Sequence, residues 1–179
     1  MVFGRGAAAS VACRMAALTN EDRVVDIGCG PGTAVRTAAR SVAAATGVDP
    51  DAVSLALARW ISARRHAPNV TWLRGRAEDL PLPDGCATVA WSLSSAHHWQ
   101  DRAAGLAEAY RVLAPGGRLL IVEKLIKPGA RGHAAHGLSQ HQAEQVAEEL
   151  TAAGFTGVSR QASRRGRRDL VIIAAASPS

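Results

Sequence analysis

Short apolar runs recur along the chain, and most lead through glycine, proline or an acid into a stretch with helical spacing. They are RVVDI at 23–27, ATGV at 45–48, VTWLR at 70–74, TVAWS at 88–92 and RLLIVE at 118–123. Runs this short and this apolar suit strands buried on both faces, and the stretches between them suit helices that cross from one parallel strand to the next. Helices are predicted over 7–18, 33–41, 51–65 and 102–112. The third is stopped by His66-Ala67-Pro68-Asn69, and the last is followed by a turn at Pro115-Gly116-Gly117. A strong helical pattern covers 139–154 and ends at Gly154, after which runs at 158–164 and 169–176 close the chain as an antiparallel pair. The alternation predicts an α/β fold, a three-layer sandwich around a mostly parallel seven-stranded sheet with an antiparallel C-terminal strand.

Composition narrows the setting. The 179 residues make one domain, 1–179, whose first part, 1–20, is a helical segment, and no repeat or linker divides the chain. No apolar run approaches the length of a membrane span. Arg14 interrupts the small apolar residues near the start, which favours an amphipathic helix over a signal peptide. Cys13, Cys29 and Cys86 are scattered and lack CxxC spacing, so neither a disulfide framework nor a zinc motif is expected, and a reducing cytoplasm fits. The net charge of +6 is carried almost entirely by arginine, spread along predicted helices. Arg164, Arg165, Arg167 and Arg168 cluster around Gly166 between two apolar runs. With no aromatic residue among them to stack on bases, they read as a solvated hairpin loop, and nucleic acid is disfavoured as a partner.

The chemistry begins at VVDIGCGPG, 24–32, where a buried strand runs into Gly28, Gly30 and Gly32 and then a helix. Glycine turns the backbone through positive φ and lets a ligand approach without a Cβ between them. A short run ending in Asp49 follows, about twenty residues on, where doubly wound folds place the acid that binds a ribose. Asp49 or Asp51 also suits the cap of the next helix. The GxGxG spacing, in place of GxGxxG, points away from nicotinamide and toward S-adenosylmethionine.

Five segments in order, VVDIGCGPG, GVDP, RGRAEDLPLPDG, WSLSSAHHWQD and YRVLAPGGRLLIVE, resemble a class I S-adenosylmethionine-dependent methyltransferase. The similarity is to the small-molecule group that includes the ubiquinone and menaquinone C-methyltransferases, and it runs from about residue 24 to 155. It implies a Rossmann-like fold, with 124–141 as a loop over the cofactor edge. It also implies a cofactor set of Asp26, Gly28, Cys29, Gly30, Gly32, Thr33, Asp49, Pro50, Arg76, Ala77, Glu78 and Ser92. In that set Asp26 orients the methionine amino end, the Gly28 to Gly32 backbone packs on methionine and ribose, and Asp49 accepts both ribose hydroxyls. Cys29 is expected to be an inert apolar filler.

Two departures stand out. Arg76 occupies a position where the family often has an acid or asparagine, so the adenine amino group needs Glu78 or Asp79 as its acceptor. Ala87-Thr88 replaces the usual Phe-Asp, which predicts a looser join before the fourth strand. Candidate general bases are His97 and His98, placed by the resemblance just after that strand, although both also suit plain loop packing beside Trp99. His133, His136 and His141 lie in a Gly-rich stretch without acids, so they read as surface or lid residues and no metal site is predicted. The regions that enclose small acceptors in relatives are short here. An open acceptor side follows, suited to a bulky acceptor, to a carrier-bound or lipid-like substrate, or to completion by a partner chain such as a second copy, and the acceptor expected is a small molecule or natural-product intermediate. The competing expectations are a protein that binds the cofactor without turnover and a methyltransferase acting on nucleic acid.

Overall fold

A computed structural model describes residues 3–65, 67–127, 129, 132–165 and 168–179. His66, Gly166 and Arg167, the last two in the arginine cluster, lie outside the described residues, as do the side chains of His133, Arg165 and Arg168.

The chain runs α1 (Phe3–Met15), β1 (Arg23–Ile27), α2 (Thr33–Ala38), β2 (Ala44–Asp49), α3 (Ala52–Arg64), β3 (Val70–Arg74) and β4 (Ala87–Leu93). It continues through α4 (Arg102–Val112), β5 (Leu113–Lys124), α5 (Gln140–Ala152), β6 (Thr156–Arg165) and β7 (Arg168–Ala176). One seven-stranded sheet takes the order β3-β2-β1-β4-β5-β7-β6. Strands β1 to β5 are parallel, and β7 runs antiparallel between β5 and β6. Strand order reverses at β1 and β4, so the crevice at their C-terminal ends is where this architecture offers a ligand site.

Both sheet faces are covered. Helices α1 to α3 bury small and branched aliphatic residues, including Ala12, Val35 and Leu55, against Val24, Trp91 and Val122. Helices α4 and α5 bury Leu106, Val146 and Leu150 against Ile27, Ile121 and Ile173 on the other face. Helix α5 starts at a capping box in which Ser139 Oγ accepts from Gln142 N at 3.2 Å and Gln142 accepts from Ser139 N at 2.9 Å.

Three boundaries differ from expectation. Helix α2 stops at Ala38 because Asn69 donates its amide to Ala39 O (2.9 Å) and Val42 O (3.0 Å), taking carbonyls that another helical turn would use. Strand β5 extends back through the Pro-Gly-Gly turn to Leu113, which pairs with Ala87 before the register shifts. The join predicted to be loose is tied instead. Thr88 Oγ1 donates to Asp22 Oδ1 at 2.7 Å and accepts from Arg23 N at 3.0 Å, and Asp22 also takes Thr19 N (2.7 Å) and the Arg118 guanidinium. Burial opposes the Asp22 charge, but these donors outweigh it and hold the carboxyl below its usual range.

Candidate active site

The glycine loop between β1 and α2 is held by β2. Gly28 N and Cys29 N both donate to Val48 O, at 2.8 and 3.0 Å. Asp49 follows at the tip of β2, only 8% exposed; its Oδ2 accepts from Gly30 N at 2.6 Å and its Oδ1 from Asp51 N at 2.9 Å. One carboxylate thus clasps the turn before α2 and the start of α3, while Asp51 itself caps α3 through Val53 N and Ser54 N. Of the two acids, Asp51 is the one whose side chain caps α3.

All three loop glycines have positive φ, +78° at Gly28, +52° at Gly30 and +75° at Gly32. Their neighbours differ. A Cβ on Gly32 or on Gly47 would enter the ring of Trp72, which packs beneath the turn, whereas a Cβ on Gly28, which lines the cleft, would collide with the Ser95 side chain. Gly28 leaves room for the Ser95 side chain at the edge of the cleft, and Gly32 leaves room for a tryptophan.

The cleft has a volume of about 250 Å³ and lies at the ends of β1 to β4. One wall is Pro50, Arg76, Ala77 and Glu78; the other is Ser95, His98 and Trp99. Glu78 joins the walls, since its Oε1 accepts from Gln100 N (2.6 Å) and Asp101 N (3.2 Å) and its Oε2 meets Arg76 Nε at 3.5 Å. Burial works against that charge, but the surrounding amides and Arg76 outweigh it and lower the carboxyl from its usual range. A larger hollow of about 530 Å³ opens between α3 and the start of β3, away from the strand ends and without an acid in its lining.

Beyond the cleft, β4 ends at Leu93 and the chain turns through Ser94, at φ +56°, into a 3-10 turn over Ala96–His98. Glu123, near the end of β5, is wholly buried. Its Oε2 lies 2.9 Å from His97 Nδ1, and its Oε1 accepts from His97 N at 3.3 Å. A carboxylate at Nδ1 places the ring proton there and leaves the lone pair on Nε2. That Nε2 is buried and has no hydrogen-bond partner among the described residues. His98 is exposed, its ring 3.9 Å from that of His97, and His136 completes the group at 5.8 Å from His97 and 5.4 Å from His98.

His136 reaches this corner through a local strand-like contact. Ile126 N donates to Leu138 O and Leu138 N to Lys124 O, both at 2.9 Å. Between them Gly137, at φ +141°, passes so close to Lys124 O that a Cβ would collide with it. The three histidines grouped by sequence proximity therefore separate, with His136 at the site and His141 exposed on α5. Glu123 was missed in the sequence; an acid ending the apolar run LLIVE at the ligand edge of the sheet was the available signal.

Residues 25–121 match a family model described as a methyltransferase domain. The chain belongs to this family. It is 37% identical over 112 residues to a demethylmenaquinone methyltransferase of Tropheryma whipplei (strain Twist), covering 63% of this chain and 46% of that protein. With the 27-O-demethylrifamycin SV methyltransferase of Amycolatopsis mediterranei it shares 35% over 113 residues, 62% of this chain and 42% of that one. The chain thus spans under half the length of these curated relatives. In fold it is similar to the Bacillus subtilis protein YcgJ, with a TM-score of 0.78 over 97% of this chain and 99% of that one, at 17% identity. It is also similar to the [4+2]-cyclase SpnF, with a TM-score of 0.82 over 97% and 81%, at 22% identity.

Within this methyltransferase domain, the residues named for the cofactor fall into two groups. Gly28, Pro50, Arg76, Ala77 and Glu78 line the cleft, with Gly30 and Asp49 tied directly behind it. Asp26 is buried in β1, and Cys29 packs inward beside Gly47. Thr33 lines a separate hollow by α2 and α3, and Ser92 is fully buried in β4, so Ser95 supplies the hydroxyl at the cleft from that segment. Burial, with a lesser push from the Asp26 charge, raises the Cys13 thiol and keeps it protonated. No helix among the described residues is long and apolar enough to cross a membrane.

Proposed function

We propose that this domain transfers a methyl group from S-adenosylmethionine to a small-molecule or natural-product acceptor. The observation that carries this is Asp49, held at the tip of β2 by two backbone amides, one residue before Pro50 in the cleft wall. A carboxylate has about four acceptor positions, and two are used here, so each oxygen keeps capacity for one hydroxyl of a ribose diol. Gly28, without a Cβ, lets Ser95 pack against the cleft floor, and the ionised Glu78 oxygen near Arg76 is the acceptor available to an amino group at the far end. The residues present therefore fit an adenosyl ligand. When bound, S-adenosylmethionine supplies an electrophilic methyl on a sulfonium.

What the chain adds is positioning and a proton acceptor. His97, with its Nδ1 proton held by Glu123, offers Nε2 to the proton of an acceptor hydroxyl, and Glu123 stabilises the imidazolium that results. His98 forms part of the cleft wall itself. The relatives' names point to quinone and natural-product acceptors. A cytoplasmic setting and closure of the open acceptor side by a second copy belong to the same reading, and gel filtration tests the latter. Calorimetry tests the core of it: S-adenosylhomocysteine binds and NAD does not, and the reverse result would remove the assignment.

The likeness to a [4+2]-cyclase favours a second reading, in which the adenosyl ligand is retained and the reaction is not methyl transfer. Screening quinols and polyketide phenols for methylated product separates the two.

A further inference from the structure

We propose that His97, His98 and His136 bind a divalent transition-metal ion of the zinc type, with Glu123 as the carboxylate that orients one ligand. One nitrogen from each ring can be chosen so that all three lie within 4.8 Å of one another. Zinc holds imidazole nitrogens at about 2.0–2.1 Å, which in a tetrahedral site puts them roughly 3.4 Å apart. The contraction needed is small, and two of the three rings, His98 and His136, are exposed. His97 needs no adjustment in kind. Its proton is fixed on Nδ1 by Glu123, and its buried Nε2 lone pair has no hydrogen-bond partner among the described residues. This is the carboxylate–histidine arrangement that raises ligand basicity in metal sites.

Backbone structure supports the same corner. The Leu125–Leu138 bridge and the close passage of Gly137 over Lys124 O bring His136 above the end of β5, while the 3-10 turn presents His97 and His98 together. Three imidazoles with no oxygen ligand favour zinc, nickel or copper over magnesium or calcium. Three protein ligands also leave one position open, next to the cleft that His98 helps to line.

The consequence for activity rests on the methyl-transfer reading above. An ion on His97 Nε2 occupies the lone pair that would take the acceptor's proton, so the metal-loaded form is the inactive one.

The test titrates zinc into the full chain, first stripped with a chelator, by calorimetry, with the visible spectrum of bound cobalt as a second readout. The expected result is one ion per chain at a Kd of about 1 μM or tighter, with tetrahedral cobalt bands. His136→Ala and His97→Ala should each weaken binding at least tenfold, and Glu123→Gln by about 10–100-fold. His141→Ala, which removes an exposed histidine outside the group, should leave it unchanged. Stoichiometric binding unaltered by His136→Ala, or binding no tighter than about 100 μM, would overturn the site. S-adenosylhomocysteine binding is measured on the same samples. Its presence without zinc binding overturns the ion alone, and zinc binding without it supports the ion while removing its link to methyl transfer.

Discussion

The two ends of the cleft are built in opposite ways. At the Asp49 end, each oxygen of a buried carboxylate is already tied to a backbone amide, and a tryptophan packs under the glycines. At the His97 end, a buried carboxylate spends itself on one imidazole and leaves a nitrogen lone pair facing two exposed rings. The first end is a rigid clasp, and its residues hold the loop whether or not a ligand is bound. The second keeps unspent acceptor capacity, which is what proton transfer or ligation requires. Changes at the clasp should therefore lower stability and ligand affinity together. Changes at the histidine corner should alter chemistry while leaving the fold intact.

Asp49→Ala is the sharpest probe of the clasp. A buried amide, Gly30 N, and a partly buried one, Asp51 N, lose a charged acceptor, so unfolding should weaken by about 1–3 kcal/mol, and S-adenosylhomocysteine affinity should fall by roughly 1.5–3 kcal/mol besides. The loss of stability comes from the Gly30 and Asp51 contacts, which are present whether or not a ribose is bound. Urea unfolding at unchanged slope, with calorimetry on the folded mutant, measures both. Unaltered stability would show that the clasp is not rigid in the sense described here.

His97→Asn tests the other end. With metal-free protein and an acceptor from the screen, turnover should drop about 100-fold, close to 2.7 kcal/mol, with S-adenosylhomocysteine affinity within a factor of two. Glu123→Gln, which keeps the shape but removes the charge that stabilises the imidazolium, should fall between mutant and parent. If His97→Asn instead reduced cofactor affinity and turnover in parallel, the two ends would not be separable.

The glycines refine the contrast within the clasp. Gly32→Ala should cost about 2 kcal/mol of stability, from the left-handed backbone and the Trp72 ring together, with little added loss of affinity in the folded fraction. Gly28→Ala carries the same backbone strain, and its methyl must displace Ser95, a residue of the cleft wall, so its affinity loss should exceed that of Gly32→Ala. Equal binding profiles for the two would mean that the cleft is not the ligand site.

These differences also explain what the sequence revealed. Gly28, Gly30 and Asp49 lie in one strand–helix–strand unit, so their spacing reports their geometry, and the parallel sheet follows from the same periodicity. The histidine corner draws on β4's exit, the end of β5 and the chain before α5, segments whose meeting depends on the Leu125–Leu138 bridge. No local pattern encodes that, and proximity in sequence grouped His136 with His141, which lies exposed on α5. Gly32 illustrates a subtler limit: its type was readable as a turn glycine, but its neighbour, Trp72, comes from a strand forty residues away.

The smallest expected effect serves as a control at the opposite edge of the sheet. Asp22 holds Thr19, Thr88 and Arg118 beneath β1 and touches neither end of the cleft. Its carboxyl is held below the ordinary value in the folded chain, so it binds protons less readily than in the unfolded one. Its contribution, about 1–2 kcal/mol, is therefore fully present above the unfolded value near pH 4 and is lost as pH falls through the lower folded value. Asp22→Asn should remove that loss, so mutant and parent unfolding curves differ at pH 7 and converge in acid, while S-adenosylhomocysteine affinity at pH 7 stays unchanged. A mutant that lost affinity as well as stability would show that any weakening of the sheet reaches the cleft, and the separation between clasp and corner would then have to rest on His97→Asn alone.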